Sequence, residues 1–394
     1  MNKRIMLIAG EASGDMLAAE LVKAIRAASP CSVEFFGAGG PKMAEAGVEL
    51  AFDLTQHSTI GISWLNKFFE LRRLFHQLVH LAIDRNPDVI IGVDYNLFNL
   101  QFAEAIKKHV RKHGGQSNWN PKIVKYVSPQ VWASRPGRAE KIARDFDLLL
   151  SIFPFEKDWY AKRVPNLRVE FIGHPMIDRY AVGTRSIASL TMSHASQKEE
   201  VRDAVERVPT IVLLPGSRVG ELRRHLPVML EAAKQISAKQ SVLFKIILPD
   251  EKLKQLSDRM SALLPNLKIQ IGGLAESLSQ ATLAIASTGT VTMECAFFGV
   301  PTIAIYKMSP ITYQIGKRIV QVKYLAMPNL LASEIIFPEL IQHEATAENI
   351  SRFAMDLLKS PKRRAEIKNQ LAKITKSLGA PGASERAAKA ILNL

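Results

Sequence analysis

The segment Thr210 to Arg224, TIVLLPGSRVGELRR, constrains the fold more than any other stretch of the chain. Thr210 to Leu214 is a short, β-branched, apolar run that reads as a buried strand, and Pro215-Gly216 ends it before a polar segment of helical character begins. A strand, a tight turn and a helix start follow in succession. Such a turn points backbone N–H groups and the positive end of a helix dipole out of the sheet edge, with Gly216 and Ser217 at its apex. Arg218 adds a planar cation with several donors. An anion is the natural occupant, and a phosphate or diphosphate suits it best. Alone, the same residues also fit an ordinary βα turn with a solvated arginine. A second turn downstream changes that balance.

With 394 residues the chain exceeds one ordinary α/β core, so two domains of about 150 to 200 residues are expected. From Asp178 to Val208 the sequence turns polar and rich in Ser, Lys and Glu, which divides it into residues 1–178, a linker at 179–208, and a second domain at 209–345. Residues 346–394 read as basic helices, expected to pack back on the first domain. Only Cys31 and Cys295 occur, so neither a disulfide framework nor a cysteine-based zinc site is indicated, and a reducing compartment fits. The start, MNKRIMLIAGEASGD, carries basic residues before an apolar run too short for a signal peptide, and it reads better as a first strand. No run approaches the roughly 18 apolar residues that a membrane-spanning helix needs.

The 52 Lys and Arg against 37 Asp and Glu give a net charge of +15. Nucleic acid, an anionic membrane surface or a phosphate-bearing substrate would each suit that excess. The charge is spread along the chain and no zinc-finger or RNP-type motif accompanies it, which favours membrane or substrate over nucleic acid.

The same strand-turn-helix alternation recurs along the chain. Arg4 to Ala9 is a strand, and Gly10 to Asp15 turns into a helix that Ser13 or Asp15 would cap; the turn suits a cap or a polar ligand, and is not the dinucleotide fingerprint. Asp88 to Val93 delivers Asp94 to a strand's carboxyl end, where ligands of doubly wound sheets sit and where a general base or a helix cap would stand. After the strand Ile123 to Val127, the residues Gln130, Trp132, Arg135 and Arg138 suit a sugar or phosphate, although a Trp after a Pro also suits packing. The Asp145-Phe146-Asp147 triplet lies at a strand's amino end, away from the expected site, so no metal is implied. His174 beside Pro175 reads as a crossover residue between domains. Ile60 to Leu81 places Ile62, Leu65, Phe68, Phe69, Phe75 and Leu78 largely along one helical face, with Trp64 near its start and Lys67, Arg72 and Arg73 interleaved. That pattern suits either a core helix or one lying in a bilayer interface.

In the second domain, the strand Ala281 to Ala286 ends in Ser287-Thr288-Gly289-Thr290 before a helix that contains Glu294. Small residues at a helix start let backbone N–H groups approach a diphosphate, and Glu294 could accept hydrogen bonds from ribose hydroxyls. Two phosphate-seeking turns in one domain are harder to dismiss than one. Asn329 falls in a late turn near the same edge.

With these pieces in order the chain resembles the lipid A disaccharide synthase family, inverting glycosyltransferases of the two-Rossmann-domain (GT-B) type, over most of its length. The likeness rests on the Gly10 to Asp15 turn, GVDYNLFN around Asp94, YVSPQVWASR at Tyr126 to Arg135, FPFE at Phe153 to Glu156 and GHP at Gly173 to Pro175. LLPGSR at Leu213 to Arg218, the Ser287 to Glu294 segment and PNLLA at Pro328 to Ala332 complete it. It implies two doubly wound α/β domains facing across a cleft, and transfer of 2,3-diacylglucosamine from UDP-2,3-diacylglucosamine to 2,3-diacylglucosamine 1-phosphate, without cofactor or metal. Asp94 would be the base and Arg218 would stabilise departing UDP. Gly216, Ser217, Ser287, Thr288, Gly289, Thr290, Glu294 and Asn329 would hold the donor, and Ser13, Asp15, Gln130, Trp132 and Arg135 the acceptor. Trp64, Leu65, Phe68, Phe69, Arg72 and Phe75 would face an anionic membrane surface from the cytoplasm, on the inner membrane, with a homodimer among the expected assemblies. Two positions depart from the family pattern: Ser134 replaces a second aromatic, and Leu97 replaces an acidic residue that would pair with Asp94. Another UDP-sugar enzyme of this fold, a UDP-N-acetylglucosamine transferase or epimerase, is the alternative, and a basic nucleic-acid-binding protein a more distant one.

Overall fold

The structure is a computed structural model that describes residues 3–58, 64–113, 118–180, 208–261, 264 and 266–394, with backbone alone at 57, 58, 64–68, 311 and 315. The chain divides into two compact units, one of Met1–Arg179 with Leu378–Leu394 and one of Tyr180–Ser377.

In the first unit the strands are β1 (Lys3–Ala9), β2 (Val33–Gly39), β3 (Glu49–Asp53), β4 (Val89–Val93), β5 (Lys122–Tyr126), β6 (Leu148–Ser151) and β7 (Val169–Phe171). They form one parallel sheet in the order β3-β2-β1-β4-β5-β6-β7. The inner strands read as unbroken apolar runs because helices cover both faces of a parallel sheet: all five residues of β4, VIIGV, are buried. Chain order reverses between β1 and β4. That switch point opens a crevice beyond the strands' carboxyl ends, which is where this class of sheet binds ligands.

The second unit repeats the plan with β8 (Thr210–Leu214), β9 (Leu243–Leu248), β10 (Leu267–Ile271), β11 (Leu283–Ser287), β12 (Thr302–Tyr306) and β13 (Glu339–Ile341). The order is β10-β9-β8-β11-β12-β13, again parallel, with the reversal between β8 and β11. The chain is thus an α/β protein with two doubly wound sheets.

Residues 346–394 do not behave as one block. The helices Ala347–Lys359 and Pro361–Ser377 stay with the second unit, and the last helix, Ala383–Leu392, packs on Ala12–Ala28 in the first. The last segment is held there by a dense polar seam. Arg386 donates to the carbonyls of Ile172 at 2.8 Å and Ala380 at 2.6 Å, and the Asp178 carboxylate accepts from the backbone of Gly382 and Ser384. His174 belongs to the same seam: its N–H donates to the Leu378 carbonyl at 2.9 Å and its Nδ1 accepts from Met176 N–H at 3.2 Å. Burial drives the His174 imidazole down to about 4, so it serves the crossover as a neutral ring.

The helix Trp64–Arg85 has two characters. Leu74, Leu78 and Ala82 are buried, and Leu71 and Phe75 pack against the same core, a stripe at helical spacing. Phe75 therefore does not face outward; its ring meets Phe98 at 5.4 Å and Phe102 at 6.1 Å. Phe69 is 63% exposed, and Arg72 and Arg73 are exposed beside it. Ile62, and the side chains of Trp64, Leu65 and Phe68, lie outside the described residues, as does 181–207 of the expected linker.

Candidate functional site

Two sheet edges carry the chemistry-bearing residues, one in each unit. In the first unit, β4 ends at the switch point and hands the chain to Asp94 and Tyr95, both in the left-handed region with φ of 44° and 41°. Two successive non-glycine residues there are strained, and such strain persists only where the surroundings over-determine the backbone. The surroundings do so. The Asp94 N–H donates to the Tyr126 carbonyl at 2.9 Å, and the Asp94 carbonyl accepts from Asn99 Nδ2 at 2.9 Å and from Lys125 Nζ at 2.5 Å. Gly10, after β1, is required by the same arrangement, since a Cβ there would fall 2.3 Å from the Tyr95 ring. The Asp94 side chain itself is half-buried at the strand end.

The expectation that Ser13 or Asp15 caps its own helix is corrected. The helix Ala12–Ala28 starts after Glu11 without a side-chain cap, and Ser13 is exposed. Asp15 is buried and accepts from the backbone N–H groups of Gly40 at 2.8 Å, Lys42 at 2.9 Å and Met43 at 3.0 Å. It caps the neighbouring short helix Pro41–Glu45, and its carboxylate is thereby fully engaged.

Trp132 is also an inward residue. It is 8% exposed, its ring abuts Phe155 edge-on at 5.0 Å, and its Nε1–H donates to Glu156 at 3.0 Å. Glu156 is completely buried and also accepts from the Phe153 N–H at 3.3 Å. Burial raises its carboxyl to about 7, against the lowering effect of those hydrogen bonds. The loop Ser128 to Arg135 is thus pinned from beneath, leaving Gln130 and Arg135 exposed. Arg138 follows Arg135 across a tight turn, its N–H donating to the Arg135 carbonyl at 3.0 Å; burial, then the Arg135 charge, lowers its guanidinium. The Asp145-Phe146-Asp147 carboxylates are engaged elsewhere: Asp145 pairs with Arg144 at 2.7 Å, and Asp147 with Lys107 at 2.9 Å and the Ile123 N–H at 2.8 Å. Among the described residues no group of His, Cys, Asp and Glu is placed to hold a metal ion.

In the second unit, Gly216 follows β8 with φ of 117°, and a Cβ there would stand 2.4 Å from Glu221 Oε2. The same Glu221 oxygen accepts from the Ser217 N–H at 3.0 Å. A carboxylate from the first turn of Val219–Ser237 thus already rests on the turn, which is how an anion-seeking nest behaves. Arg218 is exposed at the start of that helix. Beneath them lies His225, fully buried: Nδ1 bonds the Pro215 carbonyl at 2.8 Å, so Nδ1 carries the hydrogen, and Nε2 accepts from the Lys307 N–H at 3.0 Å. Burial lowers its pKa, and the neutral ring ties the Pro215 turn to the end of β12.

Beside it, β11 delivers Ser287 and the turn Thr288-Gly289 to the helix Thr290–Phe297. A side chain at Gly289 would meet nothing within 4 Å, so the space over the turn is open. In the first turn the Thr292 N–H donates to the Gly289 carbonyl at 3.1 Å, whereas the N–H groups at a helix start ahead of it have no i−4 acceptor within the helix. Glu294, half-buried one turn in, accepts from the Tyr180 hydroxyl at 2.6 Å. A cavity of about 390 Å³ lies at the ends of β12 and β13, lined by Lys307, Met308, Tyr313, Gln342 and His343 among others.

Asn329 does not offer an atom to a ligand. It is completely buried; its Nδ2 donates to Phe337 O and Glu339 Oε1, both at 2.8 Å, and its Oδ1 accepts from the N–H groups of Ile336 at 2.9 Å and Phe337 at 2.8 Å. Nothing in the sequence assigns a role to Asn99, Lys125 or His225 at these edges, because an interior polar side chain on an apolar strand or helix shows what it does only through the backbone groups that it reaches.

A family model described as lipid-A-disaccharide synthetase matches residues 5–393. A lipid-A-disaccharide synthase of Geobacter metallireducens is 36% identical over 396 residues, covering 100% of this chain and 97% of that protein. Lipid-A-disaccharide synthase 1 of Legionella pneumophila is 33% identical, covering 95% and 93%. Among solved structures, UDP-GlcNAc 2-epimerase from Neisseria meningitidis bound to UDP-GlcNAc superposes with a TM-score of 0.65 at 11% identity, covering 100% of both chains. MurG of Acinetobacter baumannii gives 0.53 at 16% identity, again with full coverage. These last two likenesses are of fold alone, and the fold is GT-B.

Proposed function

The chain belongs to the lipid-A-disaccharide synthase family, a glycosyltransferase family of lipid A biosynthesis that joins a UDP-sugar donor to a lipid acceptor, and from that premise we propose its substrates and the roles of its residues. The donor is UDP-2,3-diacylglucosamine and the acceptor is 2,3-diacylglucosamine 1-phosphate. The 6-hydroxyl of the acceptor attacks the anomeric carbon of the donor, forming a β-1,6 bond and releasing UDP with inversion. One displacement needs a base for the acceptor proton and cations for the charge that develops on the departing diphosphate. Asp94 is the base, and Arg218 receives the diphosphate charge. The Gly216-Ser217 and Ser287 to Thr290 turns bind the phosphates, displacing Glu221 from the Ser217 N–H, and Glu294 exchanges the Tyr180 hydroxyl for those of ribose. Exposed Arg135 and Gln130, with half-buried Arg138 beside them, are the acceptor-side groups that remain for a phosphate or sugar. Ser13, on the same sheet edge, is a further acceptor contact.

The observation that carries this reading is placement: Asp94 stands at one topological switch point, and Gly216 and Ser287 to Gly289 stand at the other. We further propose that the protein works on the cytoplasmic face of the inner membrane, through the exposed Phe69, Arg72 and Arg73 on a basic surface. Among the described residues no helix is long and apolar enough to cross a membrane.

Mass spectrometry of products tests the reaction. Purified protein is incubated in detergent and EDTA with the two substrates. A phosphorylated tetraacyl disaccharide and UDP are expected. Folded protein that binds UDP yet makes no disaccharide would overturn the proposed acceptor, and dependence on added divalent metal would overturn the metal-free chemistry.

A further inference from the structure

Lys125 lies in β5, between β4 and β6, and is 0% exposed. It pairs with Gly92 in the β4–β5 ladder, and its ammonium reaches along β4 to the Asp94 carbonyl at 2.5 Å and the Gly92 carbonyl at 3.4 Å. Burying a lysine is costly unless its charge and its donors are satisfied. Here it is met by two backbone carbonyls and by the charge of Asp94, which opposes the burial that pulls the group to about 8. Acceptors surround the nitrogen, which is the environment that an ammonium group needs.

The location of those carbonyls gives the lysine its function. The Asp94 carbonyl takes two donors, Lys125 Nζ and Asn99 Nδ2, and it belongs to the first of two consecutive residues in the left-handed region. Releasing that carbonyl would let the strained pair relax and swing the Asp94 carboxylate. Gly92 completes the design, since a Cβ there would sit 2.9 Å from the Asn99 side chain. We propose that Lys125 is a positioning residue of the transfer step: its buried ammonium, together with Asn99, holds the Asp94 carbonyl so that the carboxylate meets the acceptor hydroxyl. This rests on Asp94 being the base.

Lys125→Met tests it. The substitution roughly keeps the length of the side chain but removes the ammonium from two carbonyls and from the Asp94 charge, so it is expected to lower Tm. The expected signature separates geometry from folding. kcat, measured well below the lowered Tm, falls ~10²-fold, as a base displaced by about 1 Å would cause, while KM for both substrates stays within about twofold. The double variant Asp94→Asn/Lys125→Met is expected to be no slower than Asp94→Asn alone, because the lysine acts through that carboxylate. Asn99→Leu, which removes the other donor to the same carbonyl, should lower kcat in the same direction, and it carries the test if Lys125→Met fails to fold. Full activity in folded Lys125→Met, or a multiplicative loss in the double variant, would overturn the proposal. Undiminished activity of Asp94→Asn would instead sink the base assignment, a result distinct from either.

Discussion

The two switch-point edges are built on opposite principles. At the end of β4 the backbone is strained and fully spoken for: Asp94 and Tyr95 are left-handed, Val127 at the end of β5 has φ of 67°, and buried Lys125, Asn99 and Glu156 brace the turns from below. At the ends of β8 and β11 the turns are made of small residues, the space over Gly289 is open, and an internal carboxylate, Glu221, rests on the Ser217 N–H. A crowded edge fixes one side chain in one direction. An open edge presents N–H groups for an anion to fill. The first suits a group that must meet a proton in register, and the second suits a ligand that arrives and leaves.

Separating those two behaviours by kinetics is the most direct way to break the comparison. Asp94→Asn keeps the shape and removes the base, so kcat should fall by ~10²–10⁴ with UDP affinity unchanged. Arg218→Ala should cost ~10²–10³ in kcat and also weaken UDP binding, because its cation serves bound diphosphate as well as the departing one. Steady-state kinetics with calorimetric UDP titration reads both. If the two variants moved the same parameters, the division between a positioning edge and a binding edge would fall.

Asn329 sharpens the open edge by subtraction. The sequence puts it in a late turn expected near the same sheet edge, yet its amide is consumed by Ile336, Phe337 and Glu339. Asn329→Ala should strand buried N–H and carbonyl groups and destabilise the protein by about 3 kcal/mol. UDP affinity measured well below the lowered Tm should be nearly unchanged. A selective loss of UDP binding with Tm intact would restore it to the site.

These residues also show what a sequence discloses. Most strands and their carboxyl ends were legible, since β-branched runs such as TIVLL and VIIGV end in Gly, Pro, Ser or Asp, whereas the strand order and the edge strands β3 and β13 were not. Asp94, Gly216 and Ser287 could be placed because strand ends are set by local pattern. What a polar side chain bonds to was not legible. Asp15 looked like a cap for its own helix and caps Pro41–Glu45; Trp132 looked like a platform for a sugar and donates inward to Glu156. Phe75 shared an apolar helix with Phe69, yet one packs on Phe98 and the other is exposed, because the spacing that makes an interfacial face also makes a core face. Lys125 in KIVKY gave no signal at all. Its meaning lies in the parallel neighbour β4, whose carbonyls it reaches.

The smallest expected effect tests the bracing of the crowded edge through pH. Burial lifts the Glu156 carboxyl from an ordinary 4.5 to about 7. A carboxyl whose folded pKa lies above its unfolded value contributes stability that is complete below about 4.5 and is lost as pH rises through about 7. Between about pH 5 and pH 8 that loss is on the order of 2 kcal/mol, at about 1.4 kcal/mol per unit of pKa. Glu156→Gln cannot ionise, but its amide can present an oxygen to only one of the Trp132 and Phe153 N–H donors, so it loses a hydrogen bond at every pH. The variant should therefore melt below the parent at about pH 5, and the gap should narrow by a few degrees at about pH 8. His174, lowered to about 4, is present in both proteins and weakens both as pH falls, so it cancels in the difference. A gap that stays constant across that range would mean that Glu156 ionises freely, and that the loop carrying Gln130 and Arg135 is not braced from a dry interior.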